Sequence, residues 1–197
     1  ACEWIKSKPI TKVLMNPPYE RKYGCKKIVE NVLENVPIGT KCAFILPDKK
    51  LEKDKMGGLL KKHTLESIIK LPENLFDAGV TTSIFVFETG KPQKERKIFA
   101  CYMEDDGLER VKNQGRHDIK NRWAEIERYW LDVVLMKTDE KYKTHQWLDP
   151  NECLSYQKPQ QEFEIFEEDF KKVILDYILF ENGVDVKTFN DNLLNKI

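Results

Sequence analysis

The stretch TKVLMNPPYERKYG, residues 11–24, decides how the rest of the chain is arranged. Its apolar residues Val13 to Met15 predict a short strand that runs straight into Asn16-Pro17-Pro18-Tyr19. Two consecutive prolines fix φ and remove two N–H donors, so the chain here continues neither as a helix nor as a central strand. An amide side chain begins this turn, backbone carbonyls remain available within it, and an aromatic ring ends it. The turn therefore suits a planar amine, although a proline-rich strand exit without chemistry is the simpler alternative.

The segments that follow this turn alternate between helical and strand patterns. Apolar residues recur at helical spacing over 28–36, and Pro37-Ile38-Gly39 ends that helix. Strands are predicted at 42–46, 65–71, 82–88 and 97–103. Continuous apolar strands joined by helices are typical of a parallel sheet covered on both faces. Only the polar stretch 89–96 separates the last two strands, so we expect them to form an antiparallel hairpin.

The composition changes after Gly107. The segment 108–118 is polar and is expected to be a loop. Apolar stripes at helical spacing predict helices over 119–136 and from about 163 to 180. Such stripes usually pack on the core, but the last helix is also a candidate for docking a partner protein. We therefore place a domain boundary at 107, with a helical extension over 108–197.

The charge balance excludes a chain that binds nucleic acid through a general excess of basic residues. Lys and Arg together number 33, as do Asp and Glu, so the formal net charge is zero. Contact with nucleic acid would then depend on a local patch or on partner chains. The five cysteines form no C-x-x-C pair and the three histidines are far apart, so we expect buried cysteines and neither a disulfide framework nor a metal site. No apolar run approaches the ~20 residues of a membrane helix and no signal peptide opens the chain, so we expect a cytoplasmic protein without membrane contact.

Four stretches, taken in order, resemble one family. Asn-Pro-Pro-Tyr after an apolar strand resembles the catalytic motif of S-adenosylmethionine-dependent amino-methyltransferases. AFILPDKKL (43–51), KLPENLFDAGVTTSIFVFETGK (70–91) and YMEDDG (102–107) resemble segments of the modification subunit of type I restriction enzymes, which are N6-adenine DNA methyltransferases. The resemblance implies an α/β fold, the second half of a doubly wound, Rossmann-like sheet with an antiparallel edge hairpin, followed by C-terminal helices. Residues 1–107 would then be the C-terminal half of the methyltransferase catalytic domain.

The resemblance also implies the chemistry, which is methylation of adenine N6 with S-adenosylmethionine as the cofactor. The substrate would be duplex DNA from which the adenine is flipped, because a stacked base cannot reach the turn. The implied partners are a specificity subunit, a second modification subunit and, in a complete system, a restriction subunit. The catalytic roles fall on Asn16, Pro17, Pro18 and Tyr19. The Asn16 side-chain oxygen and the Pro17 carbonyl would accept hydrogen bonds from the amine, and Tyr19 would stack on the base.

Weaker candidates surround this turn. Phe76 is a candidate for the opposite wall of the base pocket, but a core phenylalanine is an equally good interpretation. The candidates for contact with DNA phosphates are Lys49, Lys50, Lys53, Thr81 and Thr82. A solvated helix face also explains the lysines, and the start of a strand also explains the threonines.

The glycine pattern departs from that of the family. Relatives carry a glycine-rich cofactor loop before the Asn-Pro-Pro-Tyr strand, whereas the only adjacent glycines here are Gly57-Gly58. We therefore expect a fragment that begins just before the motif, lacks most of the cofactor pocket and is inactive alone. Two alternatives stay open: a methyltransferase that acts on protein glutamine or RNA, and an assembly module without catalytic activity.

Overall fold

A central sheet organises the first of the two units into which the chain divides, Ala1–Gln157 and Lys158–Ile197. The computed structural model describes residues 2–19, 24–52, 58–73, 75–76, 79–159 and 167–185. The strands are β1 Lys12–Met15, β2 Lys41–Pro47, β3 Thr64–Lys70, β4 Thr82–Glu88, β5 Ile98–Tyr102, β6 Glu109–Val111, β7 Gly115–His117 and β8 Gln146–Leu148. The helices are α1 Cys2–Lys6, α2 Cys25–Asn35, α3 Gly58–Lys62, α4 Trp123–Met136 and α5 Glu167–Glu181.

Within the described residues, the central sheet has six strands in the order β1-β2-β4-β3-β5-β8. β1 is parallel to β2 and β3 is parallel to β5, whereas β4 runs antiparallel to both of its neighbours, β2 and β3. Four strands therefore point the same way, while β4 and the edge strand β8 are reversed. The predicted Rossmann-like α/β class, with helices after the sheet, is confirmed.

The predicted hairpin between 82–88 and 97–103 is wrong. Both strands exist as β4 and β5, but β3 lies between them in the sheet. Phe85 and Phe87 of β4 are fully buried, because β4 occupies an interior position between β2 and β3. Burial of large apolar side chains favours such a position over an edge hairpin. The reversed strand at the edge is β8, which pairs with β5.

Successive residues of β3 and β5 belong to two separate cores. The first core joins Ile68, Ile98 and Ala100 to Val29 and Leu33 of α2. The second core joins Ile69, Phe99 and Cys101 to Ile126, Trp130 and Val133 of α4. Since successive strand residues point to opposite faces, α2 and α4 cover opposite faces of the sheet. Among the described residues, the ends of the strands are therefore candidates for a functional site.

The division after Gln157 differs from the boundary expected at 107. α4 packs on the sheet and β8 extends it, so both belong to the first unit. The segment expected to be a loop, 108–118, contains the small hairpin of β6 and β7. These strands are too short and too polar to show a strand pattern. α4 begins at Trp123 rather than at 119. The Asp118 carboxylate accepts hydrogen bonds of 2.8 and 3.0 Å from the backbone N–H groups of Arg122 and Trp123 at the start of the helix.

The second unit contains α5, which confirms the predicted last helix from residue 167 onward. Its expected start at 163–166 lies outside the described residues. Several apolar side chains of α5 are exposed, namely Phe170, Val173, Ile174, Leu175, Tyr177, Ile178 and Phe180. No helix among the described residues is long and apolar enough to cross a membrane. Cys25, Cys42 and Cys101 are buried, as expected.

Candidate active site

The carboxyl ends of β1, β2 and β3 lie at one edge of the sheet, where the reversed strand β4 begins. Pro47 at the end of β2 pairs with Thr82 at the start of β4, and Lys70 at the end of β3 pairs with Ser83. The turn of Asn16–Tyr19 leaves β1 at this edge. The carboxyl ends of parallel strands are where α/β sheets bind their ligands.

The exposed Asn16 side chain is oriented by a neighbour within the same turn. The Tyr19 hydroxyl donates a hydrogen bond of 2.6 Å to Asn16 Oδ1. An amide oxygen has two lone pairs, so one remains for a second donor. Pro17 is buried, and none of the described residues donates a hydrogen bond to its carbonyl. Two oxygens of this turn therefore retain the capacity to accept a hydrogen bond.

The rings of Tyr19 and Phe76 contact each other although the residues are far apart in the sequence. Their centroids are 6.3 Å apart and their planes are inclined by 74°, which is the edge-to-face geometry that aromatic pairs favour. Both side chains are partly exposed. Phe76 is thus not a core residue, and the structure brings it to the same edge of the sheet as Asn16.

Two groups beside the turn have raised pKa values. Burial raises the pKa of the Tyr19 phenol, and the neighbouring Cys25 thiol raises it further. The phenol is therefore protonated at neutral pH and acts as the donor to Asn16. Burial also raises the pKa of Cys25, against the opposing effect of the Lys50 charge. A buried, protonated thiol is a poor nucleophile, so Cys25 serves packing at the start of α2.

The candidates for phosphate contact lie in different environments. Lys49 is exposed and Lys50 is half-buried in the turn after β2, and the exposed Thr81 directly precedes β4 at the same edge of the sheet. Thr82 is only 1% exposed, and its buried hydroxyl finds no hydrogen-bond partner among the described residues. A side chain so enclosed does not reach a phosphate on the surface. Lys53 lies outside the described residues.

A charged cluster at this edge was not predicted from the sequence. Lys70 is 7% exposed, and its Nζ lies 2.6 Å from Asp48 Oδ2. The Ser83 hydroxyl donates a hydrogen bond of 2.7 Å to Asp48 Oδ1. Lysine is almost never buried unless it is paired, so the lysine within the apolar pattern SIIKL was a signal that a partner exists. The partner lies in the turn after another strand, and the spacing of residues does not identify it.

The described residues do not by themselves fit a site for S-adenosylmethionine. Seven glycines adopt a positive φ, and no two of them are neighbours in the sequence. A glycine-rich turn, which would let the backbone approach a cofactor closely, is therefore not formed by the described part of the chain. None of the residues described above is assigned to holding that cofactor.

Comparisons with known proteins concern the family and the fold of the chain. The family model "N-6 DNA Methylase" matches residues 32–183, a range that begins after the Asn16–Tyr19 turn. A type II restriction enzyme and methyltransferase of Heyndrickxia coagulans is 32% identical over 114 residues, which cover 50% of this chain and 18% of that protein. This chain therefore spans less than a fifth of the length of that curated relative.

Two solved structures match this chain at low sequence identity. A chain from a structural study of complex assembly and conformational transition in the type I restriction-modification system has a TM-score of 0.52 and 16% identity, over 94% of this chain and 45% of that chain. A modification subunit of a putative type I restriction enzyme from Vibrio vulnificus YJ016 has a TM-score of 0.49 and 14% identity, over 75% of this chain and 35% of that chain. At these identities the similarity to the first structure concerns the fold alone.

Proposed function

Because this chain belongs to the N-6 DNA methylase family, we propose that the intact protein methylates the N6 amine of adenine in DNA, with Asn16–Tyr19 as the catalytic turn. One observation carries the proposal. Asn16, Tyr19 and Phe76 lie together at the carboxyl edge of the sheet, where an oxygen acceptor and two rings are accessible.

The two oxygen acceptors of the turn act on the target amine. The lone pair of adenine N6 is delocalised into the ring, which makes the amine a poor nucleophile. Hydrogen bonds from its two N–H groups to Asn16 Oδ1 and to the Pro17 carbonyl draw the nitrogen toward tetrahedral geometry. As the bond to the methyl group would form and the methyl–sulfur bond of the donor would break, the nitrogen gains positive charge, and fixed oxygen dipoles stabilise that charge. Loss of one N–H proton to water then restores a neutral amine. The rigid Pro17-Pro18 backbone keeps both acceptors in place without reorganisation.

The two rings form the walls of the base site. A base that enters between them needs about twice a van der Waals spacing, roughly 7 Å, and the observed centroids are 6.3 Å apart. The rings are inclined by 74°, so one ring must rotate to stack in parallel with the base. Stacking on one ring is worth ~1–3 kcal/mol. The adenine must first leave the duplex, which costs a few kcal/mol of stacking and pairing.

S-adenosylmethionine supplies the methyl group when it is bound. None of the described residues is assigned to holding it, because the described glycines form no cofactor loop. We propose that the chain on its own is inactive. What it contributes is the positioning of the amine, and holding an amine in line with a methyl donor accounts for up to ~10 kcal/mol of a barrier in favourable cases.

DNA approaches the edge of the sheet on which the turn lies. Lys49 and Lys50 follow β2 and Thr81 precedes β4, and in this proposal all three contact phosphates on either side of the flipped base. Lys53 continues the lysine series in the sequence, whereas buried Thr82 is left out of this interface. With a formal net charge of zero, contact with DNA depends on a local patch of this kind or on partner chains.

The protein acts as the modification subunit of a type I restriction-modification complex, together with a specificity subunit, a second modification subunit and, in a complete system, a restriction subunit. The exposed apolar side chains of α5 support this part of the proposal. Such side chains in a helix of 15 residues are typical of helix docking. Replacing Ile174 with Asp is expected to release the chain from the complex in size-exclusion chromatography, while Lys171→Glu on the same helix leaves the complex intact.

The catalytic proposal is tested with the full-length protein in its complex. Transfer of labelled methyl from S-adenosylmethionine to duplex DNA is measured for the wild type, Asn16→Ala and a matched control, Asn31→Ala, which replaces an exposed asparagine of α2. We expect N6-methyladenine from the wild type and the control, and none from Asn16→Ala, at equal melting temperatures. Full activity of Asn16→Ala would refute the assignment. Methylation of RNA or of a peptide-release factor, with none of DNA, would favour the other methyltransferase class.

A further inference from the structure

Asp48 contacts both ends of the segment that carries Phe76. This segment, 71–81, lies in the sequence between Lys70, the last residue of β3, and Thr82, the first residue of β4, and the structure describes its residues 71–73, 75–76 and 79–81. At its start, Lys70 Nζ lies 2.6 Å from Asp48 Oδ2. At its end, the Asp48 backbone N–H donates a hydrogen bond of 3.1 Å to the Thr81 carbonyl, and the Ser83 hydroxyl donates one of 2.7 Å to Asp48 Oδ1. One residue in the turn after β2 therefore holds two points that lie on either side of the segment.

These contacts are shielded from water. The side chains of Lys70 and Asp48 are 9% and 16% exposed, and Ser83 is 1% exposed. A pair of charges in such a place is only weakly screened, and loss of one partner leaves the other charge buried without compensation. Lys70 Nζ also lies 5.7 Å from the centre of the Tyr102 ring, so the ammonium is enclosed by partners. The ends of the segment are thus fixed far more firmly than a surface ion pair would fix them.

We infer that Asp48 is a positioning residue for methylation. It holds the ends of the segment that carries Phe76, and so it keeps Phe76 beside Tyr19 at this edge of the sheet, where a base can enter between the two rings, without itself touching the base. This inference rests on the proposed function, since the wall matters only if a base stacks there. Phosphates dominate the affinity for DNA, so loss of the wall should lower kcat and leave the KM for DNA nearly unchanged.

The chain offers a matched control at the other end of β4. Glu88, the last residue of that strand, binds Lys41 at 3.1 Å and also binds Lys91. Like Asp48, it is a carboxylate that joins two partners, but it lies at the edge of the sheet opposite to the segment 71–81. Glu88→Gln therefore removes comparable pairing without releasing the segment.

The test combines hydrogen exchange with steady-state kinetics on the full-length protein in its complex. Asp48→Asn is expected to speed amide exchange in peptides that cover 71–81 by about tenfold, the order expected for the loss of a charged hydrogen bond. Its kcat for adenine methylation should fall by about ten- to a hundredfold, the order expected for a small misplacement of a site. Ser83→Ala, which leaves the charges paired and the fold intact, should show the same two changes at smaller size. Glu88→Gln should show neither beyond what its lower melting temperature explains.

Two results would overturn the inference. One is exchange over 71–81 that is equal in Asp48→Asn, Ser83→Ala and Glu88→Gln. The other is faster exchange in the first two variants with a kcat no lower than that of Glu88→Gln. Absence of adenine methylation by the wild type would instead defeat the proposed function, and with it the catalytic role of Asp48, while the exchange data would still show whether Asp48 holds the segment.

Discussion

Removing either ring of the Tyr19–Phe76 pair is expected to weaken methylation, and removing both is expected to cost less than the sum of the single losses. Stacking a base on one aromatic ring is worth ~1–3 kcal/mol. Tyr19→Ala and Phe76→Ala should therefore each lower kcat/KM by about 5- to 150-fold. Tyr19→Ala should lie at the upper end, because it also removes the hydroxyl that orients Asn16 at 2.6 Å.

The coupling between the two rings follows from their contact. The centroids are 6.3 Å apart, so both rings act on the same base. Once one wall is lost, the base can tilt and gains less from the other wall. A coupling free energy of about 1 kcal/mol is expected for such a pair in contact. The kcat/KM of the double variant should therefore be roughly fivefold higher than the value obtained if the two single losses were independent.

The assay is a double-mutant cycle on kcat/KM for methylation of a target duplex by the intact complex. Trp123→Ala is the matched control, since Trp123 is an aromatic residue that is 42% exposed at the start of α4. Losses that add without coupling would show that the rings do not share a base. Single variants as active as Trp123→Ala would refute the base site altogether.

Three further predictions concern charge. Hydrogen bonds from Lys91 and Lys41 lower the pKa of Glu88 to about 2. Because the folded pKa lies below the ordinary value, the pairs stabilise the fold above about pH 4.3 and the effect is lost as the pH falls through the folded pKa. Glu88→Gln should therefore lower the free energy of unfolding by about 1–3 kcal/mol at neutral pH and hardly at all in strong acid. Urea unfolding at the two pH values measures this difference, and an equal loss at both would contradict the prediction. Burial raises the pKa of Asp139, but hydrogen bonds from Tyr129 and Thr144 outweigh this effect, so the pKa is lowered. Asp139→Asn should therefore lower the free energy of unfolding by about 2–4 kcal/mol at neutral pH. The loss should be smaller in acid, where Asp139 of the wild type is protonated. Lys49→Gln should weaken binding to all DNA sequences and reduce the salt slope by about 1, whereas Lys12→Gln at the amino end of β1 should do neither; equal effects would place the DNA elsewhere.

The strands could be predicted because their signals are local. The β-branched and aromatic run TSIFVFE predicted β4 at the observed bounds, Thr82–Glu88. Its partners could not be predicted in the same way. Closeness in the sequence favoured pairing with β5, whereas the buried faces of Phe85 and Phe87 place β4 between β2 and β3. The order of the strands depends on how residues far apart in the sequence are buried together, and no single segment of the sequence shows this.

Prediction of the candidate site from the sequence was limited in the same way. Asn16 and Tyr19 were identifiable because the whole motif lies within four consecutive residues. The contact of Phe76 with Tyr19 and the pairing of Lys70 with Asp48 join turns that follow different strands. The apolar neighbours of Lys70 signalled that a counter-charge was needed, but only the sheet register identifies it as Asp48. The small hairpin of β6 and β7 was missed because its strands have only three residues each.

The most direct measurement is the position at which a flipped target base touches the protein. The target adenine is first located by sequencing DNA that the intact complex has modified, and 5-iodouracil is then placed at that position in a duplex. After irradiation, the cross-linked peptide is identified by mass spectrometry. We expect the cross-link at Tyr19 or Phe76, and its loss when both are replaced by Ala. A cross-link on α4 or α5, or one that persists in the double variant, would contradict a base site at the Asn16–Tyr19 turn.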